Sequence, residues 1–436
     1  MLLETLLLIL TVTFPSATTA TATNSSCVNV VTSKGLRTLQ HSQVACAPVQ
    51  PGKPWRNEGL QYLTCDFGKV STGICPNDKR YDVAIGACIE PHLASCELYP
   101  HNATTTRRKG NANNGGCKNN CRLPDCFCFG SKPKTRPLDT PMFVMITFDD
   151  FVNNDLYNKF YKPLFIDNIH ELYNPNGCPI KMGLFVSLNN TNVTLVEEAY
   201  EAGHEIGSHT VNHGVPEGAN QTYAAVVDAI VGMKQRILKM TGNKALHDSI
   251  VGFRTPYLKC VGDIKLDVLR DHGFLYDSSY TNTDMLGGVA PHWPFTLDFF
   301  AKRCVNCPCP EKRYPGLWEV PLNAWLGEDG HVCSMVDGWT YDDYGTKVDS
   351  ATAEQWYNYY NRHFLKYLRP HKVPMSFFSH GHVFFKSPSS FVALGQWLKD
   401  LLQKYPDVWI VPPKWVIEWM KRPLTVSEMI AKKWGC

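Results

Sequence analysis

The chain has 436 residues, with 43 Lys and Arg against 40 Asp and Glu, and 17 cysteines. At 44% hydrophobic and 19% charged residues it can bury a large core, which excludes disorder throughout. A net charge of +3 with no long Lys/Arg run leaves no general basic excess for phosphates, so nucleic acid is not an expected partner.

The N-terminus, Met1 to Phe14, is an apolar run headed by Glu4 and followed by small residues through Ala22. It is too short to span a bilayer and reads as a secretory signal peptide over 1–22. No later run reaches the roughly 20 apolar residues of a spanning helix, so no stable membrane insertion is expected. Asn24, Asn102, Asn189, Asn192 and Asn220 each head an Asn-x-Ser/Thr sequon. The cysteines cluster as Cys27 to Cys96, Cys117 to Cys128, and Cys304, Cys307 and Cys309. With a leader, such clusters predict disulfides rather than metal sites, and a secreted, extracellular protein. The odd total leaves at least one cysteine unpaired within the chain.

Residues 24–100 are rich in cysteine, Gly, Pro and aromatics without sustained helical periodicity, which predicts a small disulfide-stapled β module. Residues 101–140 combine a polar, turn-prone linker with a short cysteine knot from Cys117 to Cys128. From 141 to 420, apolar runs alternate with helical patterns, and 421–436 reads as a C-terminal tail. Strands are predicted over Met142–Phe148, Ile180–Ser187, His204–His209, Ile250–Phe253, Leu275–Asp277, Leu317–Leu322, Met375–Ser379 and Val408–Val411. Helices are predicted over Asp155–Tyr173, Val193–Glu201 and Tyr223–Met240. The alternation predicts an α/β fold with a largely parallel sheet, open or closed into a barrel. In such folds the chemistry sits at the carboxyl ends of the strands.

Four clusters fall at those ends. Thr147-Phe148-Asp149-Asp150 sets two adjacent carboxylates after a buried run, an arrangement that also suits a solvated turn with a capping Asp. His209-Thr210-Val211-Asn212-His213 spaces two imidazoles by four residues, so both can reach one metal if a carboxylate from another strand joins them. Arg254-Thr255-Pro256-Tyr257 closes the fourth strand; Pro256 has no N–H, which makes Tyr257 the next backbone donor. Phe378-Ser379-His380-Gly381-His382 ends a late strand with a histidine available for acid–base work.

Together these clusters resemble, in order and over about 280 residues, the motifs of NodB-type polysaccharide deacetylases, carbohydrate esterase family four. The wording around Asn174-Pro175-Asn176-Gly177-Cys178-Pro179 and Leu317-Trp318-Glu319-Val320-Pro321-Leu322-Asn323 is most similar to animal chitin deacetylases. The resemblance implies a distorted (β/α) barrel that removes N-acetyl groups from chitin or chitin oligomers. It implies that Asp150, His209 and His213 hold a divalent metal, most often zinc, and that Asp149 is the general base, paired with Arg254. Tyr257 would stabilise the oxyanion through its N–H, His380 would be the acid in preference to His382, and Trp325 would contact substrate.

One position departs from the pattern. Ala324-Trp325 stands where the family has Asp-Trp, so the carboxylate that tunes the acid is missing there, leaving Glu319 or another carboxylate to fill the role. Without one, the His380 pKa would lie near the free value of ~6.5.

The N-terminal module, with Tyr62-Leu63-Thr64-Cys65, Cys75-Pro76, Cys88 and Cys96, is similar to the second half of peritrophin-A-type chitin-binding domains. Its first half departs, because Cys46 lies 19 residues before Cys65. Trp55, Tyr62, Phe67 and Tyr81 are the expected sugar-stacking aromatics. A catalytically silent chitin-binding matrix protein, and a deacetylase of another N-acetylated polysaccharide, are the rival readings. A monomer is expected.

Overall fold

The computed structural model describes residues 117, 121–135, 139–217, 221–259, 261–283, 291–299, 304, 306, 308–326, 332–340 and 351–436, with backbone strands between 27 and 89. It divides into a unit of residues 1–100 and a unit of residues 101–436. In the first, the described strands pair antiparallel throughout, the longest ladder running Gln61–Asp66 against Lys69–Ile74. Tyr62 and Tyr81 lie on such strands, but their side chains are outside the described residues, as are Trp55 and Phe67, the leader 1–22 and Asn24, Asn102 and Asn220.

The second unit is a curled, nearly all-parallel sheet. Its strands are β1 (Met142–Asp150), β2 (Gly183–Val186), β3 (Glu205–Ser208), β4 (Gly252–Phe253), β5 (Tyr276–Asp277), β6 (Phe295–Leu297), β7 (Tyr314–Glu319), β8 (Met375–His380) and β9 (Val408–Ile410). The order is β6-β7-β5-β4-β3-β2-β1-β8, with β9 on the first half of β1. Only β6 on β7 is antiparallel; every other pairing in the sheet is parallel. The alternating pattern predicts the largely parallel sheet, and its curling into a half-barrel agrees with the (β/α) fold that the family resemblance implies. No helix among the described residues is long and apolar enough to cross a membrane.

Alternation along β1 splits the core into two layers, as pleating requires. Met142, Val144, Ile146 and Phe148 pack in one apolar cluster with Leu164, Phe364 and Trp397. Phe143 and Met145 join Phe185, Phe253, Tyr276, Phe378 and Trp419 in the other. Buried on both faces, a strand needs a continuous apolar run, which is why β1 shows so clearly in the sequence.

Helices Val193–Glu201 (α1) and Tyr223–Thr241 (α2) form where their apolar spacing predicts. The Asn192 and Thr222 side chains cap their N-termini, and Gly242, at φ 72°, ends α2. The stretch 155–173 differs from the single helix expected. A short turn, Asn154–Leu156, runs into a π-helix over Tyr157–Ile166, which ends at Asp167. Beyond it, Asn168 accepts from Leu172 N at 2.7 Å and takes φ 50°, so a local side-chain bond replaces helix.

Residues 421–436 are more than a tail. They carry the helix Val426–Ala431, and Cys436 is disulfide-bonded to Cys178. Cys117–Cys128, Cys121–Cys126 and Cys304–Cys309 are also paired, in keeping with disulfides rather than a metal cluster.

Candidate active site

Parallel registration brings the sequence clusters to one edge. Asp149 on β1 is the register partner of His380 on β8, and Asp150 that of Val186 on β2. The ladder continues through His209 N to Val186 O at 3.0 Å and Arg254 N to Ser208 O at 3.1 Å. In sheet order, Arg254, His209, the two carboxylates and His380 thus stand at the ends of β4, β3, β1 and β8 along one edge.

Arg254 is wholly buried, and its hydrogen bonds explain how. Nη1 donates to Asp149 Oδ1 at 2.6 Å and to Thr147 Oγ1 at 2.8 Å; Nε and Nη2 donate to the carbonyl and hydroxyl of Ser278, both at 3.0 Å. The guanidinium lies between the rings of Phe185 and Phe378, 4.1 Å from each centroid. Asp149 Oδ1 is therefore committed to Arg254, while Oδ2 lies 3.9 Å from His209 Nε2.

Asp150, His209 and His213 present ligand atoms that all lie within 4.8 Å of one another. The His209 Nδ1 is 2.8 Å from the Arg254 carbonyl, and a carbonyl only accepts. The proton of the neutral ring is thereby fixed on Nδ1, leaving the Nε2 lone pair facing the cluster. Asp150 Oδ1 lies 2.9 Å from His213 Nε2 and 3.6 Å from His209 Nε2, and these three buried atoms have no partner outside their own cluster. Three ligand atoms converging on one point with no other partner form a donor set suited to a divalent cation. Burial opposes ionisation of Asp150, but the two imidazoles beside it, with His380 beyond, hold its carboxyl well below the usual range.

The cluster is built on uncommon backbone. Asp150, Thr210, His213, Tyr257 and Leu258 all have positive φ, between 52° and 83°. The Tyr257 ring is 74% exposed and meets His213 edge-on at 4.5 Å. No hydrogen bond among the described residues uses the Tyr257 N–H, which leaves it available as a donor.

The acid side corrects the sequence reading. His380 Nδ1 lies 2.8 Å from Asp337 Oδ2, and Ser379 Oγ donates to Asp337 Oδ1 at 3.2 Å. Glu319 instead accepts from the backbone N–H groups of Ser279 and Tyr280. The missing carboxylate is thus supplied by Asp337, from the turn Val336–Thr340. Burial disfavours charge on His380, yet the Asp337 charge and hydrogen bond, with Asp149 and Asp150 beyond, push its pKa up to about 10. The expected value near ~6.5 does not hold. His382, with its ring 5.3 Å from that of His380, is depressed by burial and by that neighbouring charge.

Trp325 is also corrected as a substrate contact. It is 1% exposed, stacks on His363 at 4.3 Å, meets Tyr359 and Phe377, and donates Nε1 to the Ser376 carbonyl at 2.9 Å. No ring face is open for a sugar.

Residues 139–276 match the family model described as Polysaccharide deacetylase. Over 313 residues the chain is 30% identical to Chitin deacetylase 8 of Bombyx mori, covering 71% of this chain and 78% of that one. Over 326 residues it is 31% identical to Chitin deacetylase 1 of Bombyx mori, covering 71% of this chain and 57% of that longer relative. Among solved structures it is similar to one described as a probable polysaccharide deacetylase from Pseudomonas aeruginosa, at 14% identity and a TM-score of 0.44, covering 67% of this chain and 95% of that one.

One prediction concerns the acid pair. In metal-free protein the His380 ring should titrate near pH 10, and Asp337→Asn should move that midpoint far down. Because the folded pKa lies above the unfolded ~6.5, the pair's stabilisation is fully present below ~6.5 and fades as pH rises through the folded value. NMR titration of the histidine ring checks this; an unchanged midpoint in the variant would exclude Asp337 as the partner.

Proposed function

The chain belongs to the polysaccharide deacetylase family, and on that premise we propose that it is a secreted, metal-dependent hydrolase removing N-acetyl groups from chitin to give chitosan and acetate. The observation that carries this reading is the pairing of two fixed proton-transfer groups, Asp149 and His380, on adjacent strands beside three converging metal-donor atoms.

Asp150, His209 and His213 would hold the ion, zinc in our reading. Such an ion would polarise the acetamide carbonyl and lower the pKa of the attacking water toward ~7. Asp149 takes the proton of that water on Oδ2, since Oδ1 is held by Arg254. Water oxygen bonds to the acetyl carbon, and the carbonyl electron pair moves onto oxygen, where the Tyr257 N–H can donate to it. When the C–N bond breaks, nitrogen needs a proton, because an amide anion is too poor a leaving group. His380 gives it from Nε2, its Nδ1 being turned to Asp337. Arg254 and Asp337 orient base and acid without entering the bond changes. The N-terminal module, through Trp55, Tyr62, Phe67 and Tyr81, would hold the insoluble polymer near the site.

The test is acetate release from N-acetylglucosamine oligomers by full-length protein. Chelation should abolish it and added zinc or cobalt restore it, since three side-chain ligands leave the ion exchangeable. Asp149→Asn should keep the metal and lose about 10²–10⁴-fold in turnover, whereas Asp150→Ala and His213→Ala should lose the metal itself. His380→Ala should cost about as much as Asp149→Asn, and His382→Ala far less. Undiminished turnover in chelated protein would refute the mechanism. Release from peptidoglycan but not from chitin oligomers would redirect the substrate assignment.

A second measurement separates the modules. Removing residues 24–110 should weaken pull-down on chitin beads while leaving hydrolysis of soluble oligomers nearly unchanged. Equal retention on the beads would reject a binding role for that module.

A further inference from the structure

Tyr257 and Leu258 are consecutive residues in the left-handed region, at φ 55° and 52°. Neither is glycine, so their Cβ atoms oppose this conformation and something outside the turn must impose it. The turn's own bonds, Leu258 N to Thr255 O at 3.0 Å and Lys259 N to Pro256 O at 3.1 Å, close it without fixing the 257–258 geometry. The Tyr257 side chain, 74% exposed, does not anchor it by burial.

The outside hold comes from Asn306. Its Nδ2 donates to the Leu258 carbonyl at 3.0 Å and to the Ser279 carbonyl at 2.8 Å, while Oδ1 accepts from Thr281 N at 2.9 Å. Both amide protons and the amide oxygen are thereby used on two different segments. At the other end of the turn, Thr255 N donates to Ser279 Oγ at 3.0 Å, and that hydroxyl is bound to Asp277 Oδ1 at 2.6 Å. The strained turn is thus gripped at both ends against the segment that follows β5. Asn306 itself sits in the loop closed by the Cys304–Cys309 disulfide, five residues apart.

We propose that Asn306 is a positioning residue: by holding the Leu258 carbonyl it fixes the left-handed pair and so the direction of the Tyr257 N–H. This rests on the reading in which that N–H serves the developing oxyanion. Asn306 touches no substrate; it acts only through the turn. A donor is effective in the transition state only when already aimed, so a relaxed turn should slow chemistry and leave binding alone.

The experiment uses metal-loaded full-length protein and two variants. Asn306→Asp keeps the acceptor for Thr281 N but sets an oxygen against two carbonyls; Asn306→Ala removes the side chain. Deacetylation of an N-acetylglucosamine pentamer should fall about tenfold or more in kcat, up to the 10²–10³ that complete loss of an oxyanion donor costs, with KM and bound metal unchanged. The Asn306→Asp loss should shrink as pH falls, because a protonated carboxyl regains one donor, whereas the Asn306→Ala loss stays constant. Hydrogen–deuterium exchange over 255–259 should quicken in both variants and stay unchanged over 205–209. Unchanged exchange in that turn, or a kcat loss matched by lost metal or folded protein, would overturn the proposal. Absence of acetate release from the wild type would instead sink the deacetylase reading, and the exchange result would still judge the clamp.

Discussion

The site depends on one buried ion pair, Asp149 with Arg254. A guanidinium taken out of water is costly unless its donors are satisfied, and here Thr147, Asp149 and Ser278 satisfy them. Those partners come from β1 and from the end of β5, while Phe185 of β2 and Phe378 of β8 supply the ring faces. One side chain therefore ties five of the sheet's strands together at their active ends. Removing either member would leave an uncompensated buried charge, a loss of about 3–5 kcal/mol. The backbone of the same residue also orients His209 through its carbonyl, so the metal-donor geometry and the base share one fixed point.

Around that point the chain accepts poor local conformation. Five non-glycine residues at the site have positive φ, each of which costs about 1–3 kcal/mol. The parallel ladder and the two apolar layers offset this and set where each strand ends. The candidate residues sit at the strand ends: Asp149 and Asp150 are the last residues of β1 and His380 the last of β8, while His209 and Arg254 are the first residues beyond β3 and β4. The arrangement explains why the chemistry is confined to one rim while the opposite end of the sheet is closed by Cys178–Cys436 and by Asn174, whose amide bonds Ile410 in both directions.

How much of this was legible in the sequence depends on which signals are local. Met142–Asp150 and Met375–His380 are largely apolar runs ending in candidate site residues, and a strand end is a local event. Asp149, Asp150, His209, His213, Arg254 and His380 could be found that way. Asp337 could not, because it reaches His380 from a short turn 43 positions earlier, with no strand end or spacing to mark it. Asn306 is hidden for the same reason: its work is done across 48 positions, from inside a cysteine-rich loop. Trp325 misled in the opposite sense. A motif position suggested a ligand contact, but His363, Tyr359 and Phe377 enclose the ring, and burial is decided by neighbours remote in the chain. The helical spacing over 155–173 failed where the Asn168 side chain accepts from Leu172 N in place of a further helical turn.

Charge bookkeeping at the rim gives the arrangement its logic. Asp149 is compensated by Arg254, and protonated His380 by Asp337, so each of the two groups proposed for proton transfer carries its counter-charge in a hydrogen bond. Histidines that hold a metal do so in the neutral form, and with His209 and His213 neutral Asp150 has no cationic side chain beside it among the described residues. A divalent cation would turn that single deficit into a single excess; once Asp149 has taken the water proton, the negative charge on the acetyl oxygen would offset the excess at the ion, and the net positive charge would rest on Arg254. In a rim where Asp149 is 4% exposed and Arg254 wholly buried, an imbalance of even one charge would be strongly felt. Acid and base can therefore keep opposite protonation states at adjacent register positions, as a reaction with proton transfers at both ends of one broken bond requires.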